Sequence, residues 1–425
     1  MEADAARPEA ALAVCNLFQY SAMMADKAAG ANYKNYLNLC RGDTAEVVSF
    51  MARISSVSSL VTFVLGPRIG ALSDRLGRKP VLVGTQLAMA ACWYWRNALT
   101  YPSIRIAVPC VLAVRWTNGL CYNSFMANRV AALADVYSGS KLALAQSYLS
   151  ASMGLAYLVG PLLLTPLVGK SIGAAFRARW MCAAASALVL QFGLAETNAG
   201  AAQARRGGRS ARLSPKSGTA TNPNPISFLT LFRKSSLAWF TLAQAMQKLS
   251  TPTESLSSVT TFHIQQVLQW NPIEYGRILM VEGFSWMCGS RFTKKLLPLL
   301  GDQRFVLMCN VAAALAFGLR ALARDCGRKA RALFLLSLVP MLAANQKCVV
   351  VDAAAVDAAV ASGMGRGECS AALANINAVI YIVAPPLWAS LYKKYKFLPF
   401  YCAAGITLAS QIPYYLGKRA AANGD

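Results

Sequence analysis

Polar side chains recur at helical spacing in an apolar stretch near residues 236 to 260. Gln244, Gln247, Thr251 and Glu254 stand at i, i+3, i+7 and i+10, with Lys248 beside them. One face of a helix would therefore carry all four. Such a face could bind a polar solute through its amides, and its carboxyl could carry a proton. A polar stripe in an apolar helix is typical of a helix that borders a water-filled cavity.

A second carboxyl, Glu282, lies near the middle of the next apolar stretch, with Trp286 at i+4. A carboxyl in apolar surroundings must be either neutral or paired. Glu282 could thus take up and release a proton, or it could form a static ion pair with Lys347 or Arg115. The sequence leaves both possibilities open.

Arg115 interrupts an earlier apolar stretch, and Asn118 and Tyr122 follow it at i+3 and i+7 on the same helical face. A charge there is costly unless it meets water or a partner. This face is therefore predicted to line a cavity, with backbone carbonyls around a structural Arg115 as the alternative. Asn375 and Tyr381 are further candidates for the cavity.

These residues interrupt a chain that is too apolar for a soluble protein. Of its 425 residues, 56% are hydrophobic and 14% charged, against about 45–50% apolar and about 25% charged in soluble domains. The net charge of +24 is spread between apolar stretches and forms no dense patch, which argues against a nucleic-acid partner. Apolar runs of spanning length predict twelve transmembrane helices. They lie near 9 to 26, 47 to 69, 80 to 98, 104 to 126, 142 to 168, 174 to 195, 236 to 260, 273 to 293, 304 to 322, 331 to 351, 369 to 391 and 397 to 417.

The chain divides at a segment rich in Gly, Ser, Pro and Arg that follows the sixth predicted span. Its composition is typical of a flexible linker. We predict an N-terminal six-helix half at 1–195, a cytoplasmic linker at 196–235 and a C-terminal six-helix half at 236–425.

The two halves share weak internal similarity at one offset. The segment after Gly77 resembles the segment after Gly301, and the Pro161 region resembles that of Pro385, each 224 residues apart. Parallel repeats of this kind describe a known transporter architecture.

The segment GALSDRLGRKP, Gly70 to Pro80, joins the second and third predicted spans. Gly77 is free to take a positive φ, and Pro80 suits the first turn of a helix. The basic residues suit an anionic inner membrane surface. An ordinary cytoplasmic turn would explain them, but not Asp74 among them.

This segment resembles the signature loop of the major facilitator superfamily, G-x-L-x-D-R-x-G-R-K/R, at every defining position. The matching residues are Gly70, Leu72, Asp74, Arg75, Gly77, Arg78 and Lys79. Further similarities are Arg115 with Gly119 to the fourth-span motif, Gly154 with Gly160 and Pro161 to the fifth-span helix-packing motif, and Glu196 with Thr197 to the pair that often closes the sixth span. Within the superfamily, these motifs resemble those of the drug/proton antiporters, the tetracycline-exporter-like branch.

The resemblance implies an all-α membrane fold of twelve transmembrane helices in two six-helix halves. It also implies that Asp74 holds the halves together on the cytoplasmic side, by facing the start of the eleventh helix and Arg129 at the inner end of the fourth. The alternative is that Asp74 pairs with Arg75 or Arg78 in water.

The sequence therefore predicts a secondary active transporter that moves a small organic solute by alternating access, with Glu254 and Glu282 as proton carriers. The alternatives are a facilitator or symporter of sugars or related metabolites, and a non-transporting receptor or scaffold. The sequence carries no phosphate-binding loop and no activated nucleophile, so we expect no enzyme, no catalytic residue, no cofactor and no metal. The expected partners are the solute, protons and the lipid bilayer.

We expect both termini in the cytoplasm, because the Arg-rich linker and the basic loop belong on the inner side of the membrane. We also expect a monomer. The single histidine, His263, falls at the outer end of the seventh span. We expect it to be solvated, with pH sensing as the alternative.

Overall fold

The computed structural model describes residues 8–30, 36, 44–98, 104–137, 139–168, 171–198, 225–251, 255–364 and 366–423. Over these ranges the secondary structure consists of helices and their connections, without strands. The expected helical architecture is confirmed. The greater part of the expected linker, residues 199–224, lies outside the described residues.

The first six spans form at the predicted places. They are Pro8–Ala29, Thr44–Leu76, Arg78–Ala98, Ile104–Val136, Gly139–Val159 and Ile172–Gly193. The fifth continues beyond Val159 through a π-helical turn at Gly160–Leu164 into the short helix Thr165–Val168. Pro161 causes this local change, because proline has no N–H to donate to the regular α-helical ladder.

The last six spans are less regular. The seventh is divided into Ser235–Leu249 and Ser257–Phe262, followed by a π-helical turn at His263–Val267. The eighth and ninth spans cover Pro272–Leu322 as two helices that meet at Gly301, where the backbone leaves the helical conformation with φ 70° and ψ 163°. The tenth comprises Arg328–Leu336, Leu338–Ala344 and Lys347–Ala361, the eleventh is Arg366–Lys394, and the twelfth comprises Leu398–Ala409 and Gln411–Ala422.

In the part of the chain that the structure describes, four stretches of helix are long and apolar enough to cross a membrane by length and composition. They are Glu46–Leu76, Arg291–Leu322, Arg328–Ala359 and Ala372–Lys394. The remaining spans either carry more polar residues, as the first does, or are interrupted, as the seventh is. Such spans need polar partners within a helix bundle.

The glycine pair found in the sequence marks two equivalent turns. Gly77 has φ 101° between the second and third spans, and Gly301 has φ 70° between the eighth and ninth. An L side chain rarely adopts such a φ, so glycine is required at both turns. The offset of 224 residues thus has a structural counterpart.

The helices form two compact units, each with its own core. The first comprises Met1–Gly42, Val61–Pro223 and Pro272–Phe284, and the second Asp43–Leu60, Asn224–Asn271 and Ser285–Asp425. Leu12, Phe125 and Leu190 are fully buried in the core of the first. Phe305 and Tyr414 are fully buried in that of the second.

Candidate functional site

The signature loop is closed by a carboxylate from the end of the sixth span. Glu196 accepts hydrogen bonds from the backbone N–H groups of Arg78, at 2.7 Å, and Lys79, at 3.3 Å. These N–H groups open the third span and have no partner within the helix. A carboxylate at a helix N-terminus is also stabilised by the helix dipole. A Cβ on Gly77 would overlap this carboxylate, so glycine is needed here for space as well as for its φ.

The charged residues of the loop form a small network around Arg78. Its guanidinium pairs with Asp74 at 2.7 Å and with Asp135 at 2.9 Å, and it donates to the Ser73 hydroxyl at 3.2 Å. Arg75 is exposed.

In this structure Asp74 pairs with Arg78, which the sequence offered as the alternative to a contact with Arg129. Its side chain is 44% exposed, and its backbone carbonyl accepts from the Asn198 amide. The expected partner, Arg129, is 7% exposed and donates to Asn16 of the first span and to the sulfur of Met153. Arg129 thus bonds to groups on the first and fifth spans in this structure.

The polar face of the fourth span is partly joined to the first span. Arg115 is half-buried, and Asn118 is 7% exposed with no hydrogen-bond partner for its carbonyl oxygen. The hydroxyls of Tyr122 and Tyr20 share a hydrogen bond of 2.8 Å, and Tyr20 also contacts Met126. The face therefore combines satisfied and unsatisfied polar groups.

The break in the seventh span is held by side chains from the last three spans. The Lys347 ammonium donates to the hydroxyl of Ser250 at 2.9 Å and to its carbonyl at 3.4 Å. The Thr407 hydroxyl donates to the same hydroxyl at 2.7 Å, and the Trp388 indole to the carbonyl of Leu249 at 3.2 Å. The carbonyls at the end of a helix carry partial negative charge, which suits the Lys347 cation.

The polar stripe of the seventh span divides between two environments. Gln244 and Gln247 are 3% and 0% exposed. Gln247 donates to Asn310 of the ninth span at 3.1 Å, and Asn310 donates to Gln411 of the twelfth at 3.0 Å. The two glutamines therefore lie in the packed interior, whereas Thr251 is half-buried at the break. Glu254 lies outside the described residues.

A cavity of about 180 Å³ lies in the second unit beside this break. Its polar lining is formed by Lys248, Thr251, Trp286, Asn345, Lys347 and Asp352. Phe317 and Met341 contribute apolar wall, and Asn345 also donates to the Ser285 hydroxyl at 3.0 Å. This is a mixed site with two ammonium groups, one carboxylate and an indole.

Glu282 is 8% exposed on the eighth span. Its neighbour Gly283 lies against the fifth span, where an added Cβ would be 2.5 Å from Cβ of Tyr157 and 2.9 Å from the carbonyl of Gly154. Small residues permit this close approach of helices. Glu282 is therefore a buried residue that directly precedes a tight helix contact.

The other expected packing residues also lie at close contacts. A Cβ on Gly160 would overlap the backbone of Ser21, and Pro161 lies 3.3 Å from the Cβ position of Gly276.

Gly70 of the signature loop has open space around its Cβ position. Asn375 and Tyr381 are half-buried on the eleventh span.

Sequence reasoning missed several buried charges. Asp26 and Arg179 form an ion pair at 3.5 Å in the first unit, with Arg179 3.9 Å from the centre of the Trp93 ring. Arg96, 1% exposed, lies 4.9 Å from the centre of the Phe176 ring. Asp26 is the last residue of the first predicted span, and the sequence around it does not indicate that its carboxylate is buried.

The expectation of a solvated His263 is wrong. Its side chain is fully buried, with the rings of Phe400, Phe397 and Phe334 centred 5.1, 5.8 and 6.1 Å from its own. The apolar residues around it belong to spans far away in sequence. Among the described residues, no group of three or more His, Cys, Asp or Glu side chains could hold a metal ion.

Comparison with known proteins identifies the family. No curated protein matches the sequence significantly. The fold resembles crystal structures of the human organic anion transporter MFSD10 (TETRAN), 17% identical, with TM-score 0.64 over 98% of this chain and 100% of that one, and of the nucleoside transporter NupG, 12% identical, with TM-score 0.64 over 98% of each chain. It also resembles the peptide transporter POT in complex with sulfate, 13% identical, with TM-score 0.69 over 97% of this chain and 94% of that one.

At these identities the likeness to solved structures concerns the fold. Residues 21–367 match the family model of the Major Facilitator Superfamily, which covers most of the chain. The protein is therefore an integral, multi-pass membrane protein and a transporter, not an enzyme. The chain belongs to the major facilitator superfamily.

Proposed function

We propose that the protein is a proton-coupled secondary transporter that moves a small organic solute by alternating access. The break in the seventh span at Ser250, beside a cavity lined by polar and charged groups, is the observation that carries this proposal. Transporters build solute and ion sites at discontinuous helices, where charged side chains and free backbone groups come together. The similar structures transport organic anions, nucleosides or peptides by their names, which favours a small polar organic solute.

Glu282 is the proposed proton carrier among the described residues, and Glu254 is retained as a second candidate. The burial of Glu282 supports this role, because a buried carboxyl must lose its charge or find a partner when its surroundings change. Arg115, Asn118 and Tyr122 are proposed to line the solute path on the first unit. The similarity to drug/proton antiporters favours exchange of the solute for protons.

The signature loop is proposed to act as the cytoplasmic gate. Asp74 pairs there with Arg78, and because the Asp74 side chain is 44% exposed, its carboxylate can exchange partners at little cost. Arg129 and the start of the eleventh helix are the partners proposed for Asp74 in another conformational state.

The proposed topology has the linker 196–235 and both termini in the cytoplasm, with six-helix halves at 1–195 and 236–425, in a monomer. A cysteine introduced at Ser210 should resist a membrane-impermeant maleimide in intact cells and react after permeabilisation. Labelling in intact cells would overturn this topology.

Purified protein in liposomes tests the function directly. Carboxylates, nucleosides and dipeptides should be offered with and without an imposed pH gradient, with a protonophore as control. We expect accumulation of one class that depends on the gradient. Gradient-independent equilibration of a sugar would instead support the facilitator, and binding without any flux would support the receptor.

A further inference from the structure

A groove of about 430 Å³ lies between the ninth and twelfth spans, within the second unit. Its lining residues are Gln303, Arg304 and Leu307 of the ninth span and Gln411, Ile412, Tyr415 and Leu416 of the twelfth. Ile412 and Tyr415 are 64% and 55% exposed, so the groove is open to the surroundings of the helix bundle. Its volume is in the range of about 300–1,000 Å³ that is usual for ligand sites.

The surroundings of this groove are lipid. The ninth span exposes Leu307, Val311 and Leu315 at i, i+4 and i+8, and the twelfth exposes Ile412 and Tyr415 at i and i+3. Each set lies on one side of its helix. In an integral membrane protein, exposed apolar faces of adjacent spans meet the acyl chains of the bilayer. The groove between these two faces therefore opens towards the bilayer.

One end of the groove is polar. Gly301 joins the eighth and ninth spans, so Gln303 and Arg304 lie in the first turn of the ninth span, at the membrane boundary. Arg304 is exposed, and the neighbouring carboxylate of Asp302 already pairs with Lys418 at 2.6 Å. In the part of the chain that the structure describes, no carboxylate pairs with Arg304. A guanidinium presents several N–H donors in one plane, which matches the oxygens of a phosphate.

Gln411 adds a donor whose orientation is fixed. Its carboxamide oxygen accepts from Asn310 at 3.0 Å, and Asn310 in turn accepts from Gln247 at 3.1 Å. With its oxygen directed at Asn310, Gln411 has its amide N–H groups to offer a ligand. Arg304 and Gln411 thus supply hydrogen-bond donors for an acceptor such as a phosphate or an ester carbonyl.

We propose that this groove binds one anionic phospholipid of the surrounding bilayer. The phosphate contacts the Arg304 guanidinium at the membrane boundary, and an acyl chain lies along Leu307, Ile412 and Leu416. Basic pockets between transmembrane helices bind anionic lipid headgroups. A headgroup with net negative charge is favoured, because the choline of a zwitterionic lipid would bring a second cation close to Arg304. The inference goes beyond the proposed function, since the site binds a lipid and does not depend on a transported solute.

Native mass spectrometry of the purified full chain measures this binding. The protein is freed of lipid in detergent and titrated with phosphatidylglycerol or with phosphatidylcholine of the same acyl chains. One phosphatidylglycerol should bind with an affinity roughly fivefold to tenfold higher than that of phosphatidylcholine, as expected for one cation at a membrane surface. Equal affinity for the two lipids, or no binding of phosphatidylglycerol, would overturn the proposal.

Variants assign the headgroup preference to its residue. Arg304→Gln should abolish the preference for phosphatidylglycerol, and Arg304→Lys should retain it in part, because an ammonium keeps the charge but not the planar set of donors. Arg328→Gln is the matched control, since Arg328 is likewise an exposed arginine in the first turn of a span of the second unit. The control should bind as the parent protein does. A preference that survives in Arg304→Gln would contradict the assignment.

Photocrosslinking locates the acyl chain, and it remains informative if the Arg304 variants are unstable. Phosphatidylglycerol with a diazirine on one acyl chain should label residues 411–416 more strongly than phosphatidylcholine with the same diazirine does. Ile412→Trp, which fills the groove, should suppress that excess. Equal labelling by the two lipids would overturn the proposed location. A stable dimer that Ile412→Trp dissociates would also overturn the proposal, because a second copy of the chain would then occupy the groove.

Discussion

Glu196 caps the third span: its carboxylate accepts from the N–H of Arg78 at 2.7 Å, immediately after Gly77. In the second repeat the carboxylate lies in the loop instead. Asp302, which follows Gly301, pairs with Lys418 of the twelfth span at 2.6 Å. The first contact satisfies helix N–H groups, whereas the second is an exposed ion pair. The two contacts therefore differ in how much each should stabilise the fold.

Glu196→Gln should lower stability more than Asp302→Asn does. Loss of a charged cap costs about 0.5–2 kcal/mol, and loss of an exposed ion pair costs about 0–1 kcal/mol. Thermal unfolding of the purified variants in one detergent measures the difference. Equal shifts in the two variants would show that the Glu196 cap adds nothing beyond a surface charge.

Gly77→Ala should be destabilising for two separable reasons. A side chain at positive φ costs roughly 1–2 kcal/mol, and the new Cβ would also displace the Glu196 carboxylate. Gly301→Ala has open space around its Cβ and should suffer only from backbone strain. A double-mutant cycle with Glu196→Ala should show coupling at Gly77. Strict additivity in that cycle would refute the steric part of the explanation.

Asp74→Asn should leave folding nearly unchanged and slow transport strongly. Arg78 keeps its contact with Asp135 at 2.9 Å, and the lost pair is partly exposed, so the expected stability change is below about 1 kcal/mol. The transport effect follows if the charge has a different partner in another state of the gate. Flux in liposomes at equal protein content is the measurement. Normal flux would mean that Asp74 serves only as a solvated partner of Arg78.

The turns and the span positions could be predicted from the sequence because glycine freedom and apolar run length are local properties. Gly77 and Gly301 were found from the repeat, and both have positive φ. Partner choice is not local. Gln247 was expected on water but bonds to Asn310, and His263 lies in an aromatic cluster, since both environments are built by residues from other spans. Helical spacing predicts which face of its helix a side chain occupies, but not which residues of other helices cover that face.

Glu282→Gln tests proton coupling at the buried carboxyl of the eighth span. If Glu282 carries the proton, the amide should abolish transport driven by a pH gradient and leave solute exchange at equal pH largely intact, because an amide resembles the protonated acid and cannot release a proton. If Glu282 is instead a static ion-pair partner, the same change strands a buried cation and should lower stability by roughly 3–5 kcal/mol, so that both modes of transport fail together.

Both modes should be measured on one preparation of Glu282→Gln, with thermal unfolding alongside. Glu274→Gln is the matched control, because Glu274 lies on the same helix in its first turn, two turns before Glu282. The control should keep both gradient-driven uptake and exchange. Gradient-driven uptake that survives in Glu282→Gln would exclude Glu282 as the carrier, because a side chain without a titratable proton cannot couple the gradient to the solute. The carrier role would then fall to Glu254 or to another titratable group of the spans.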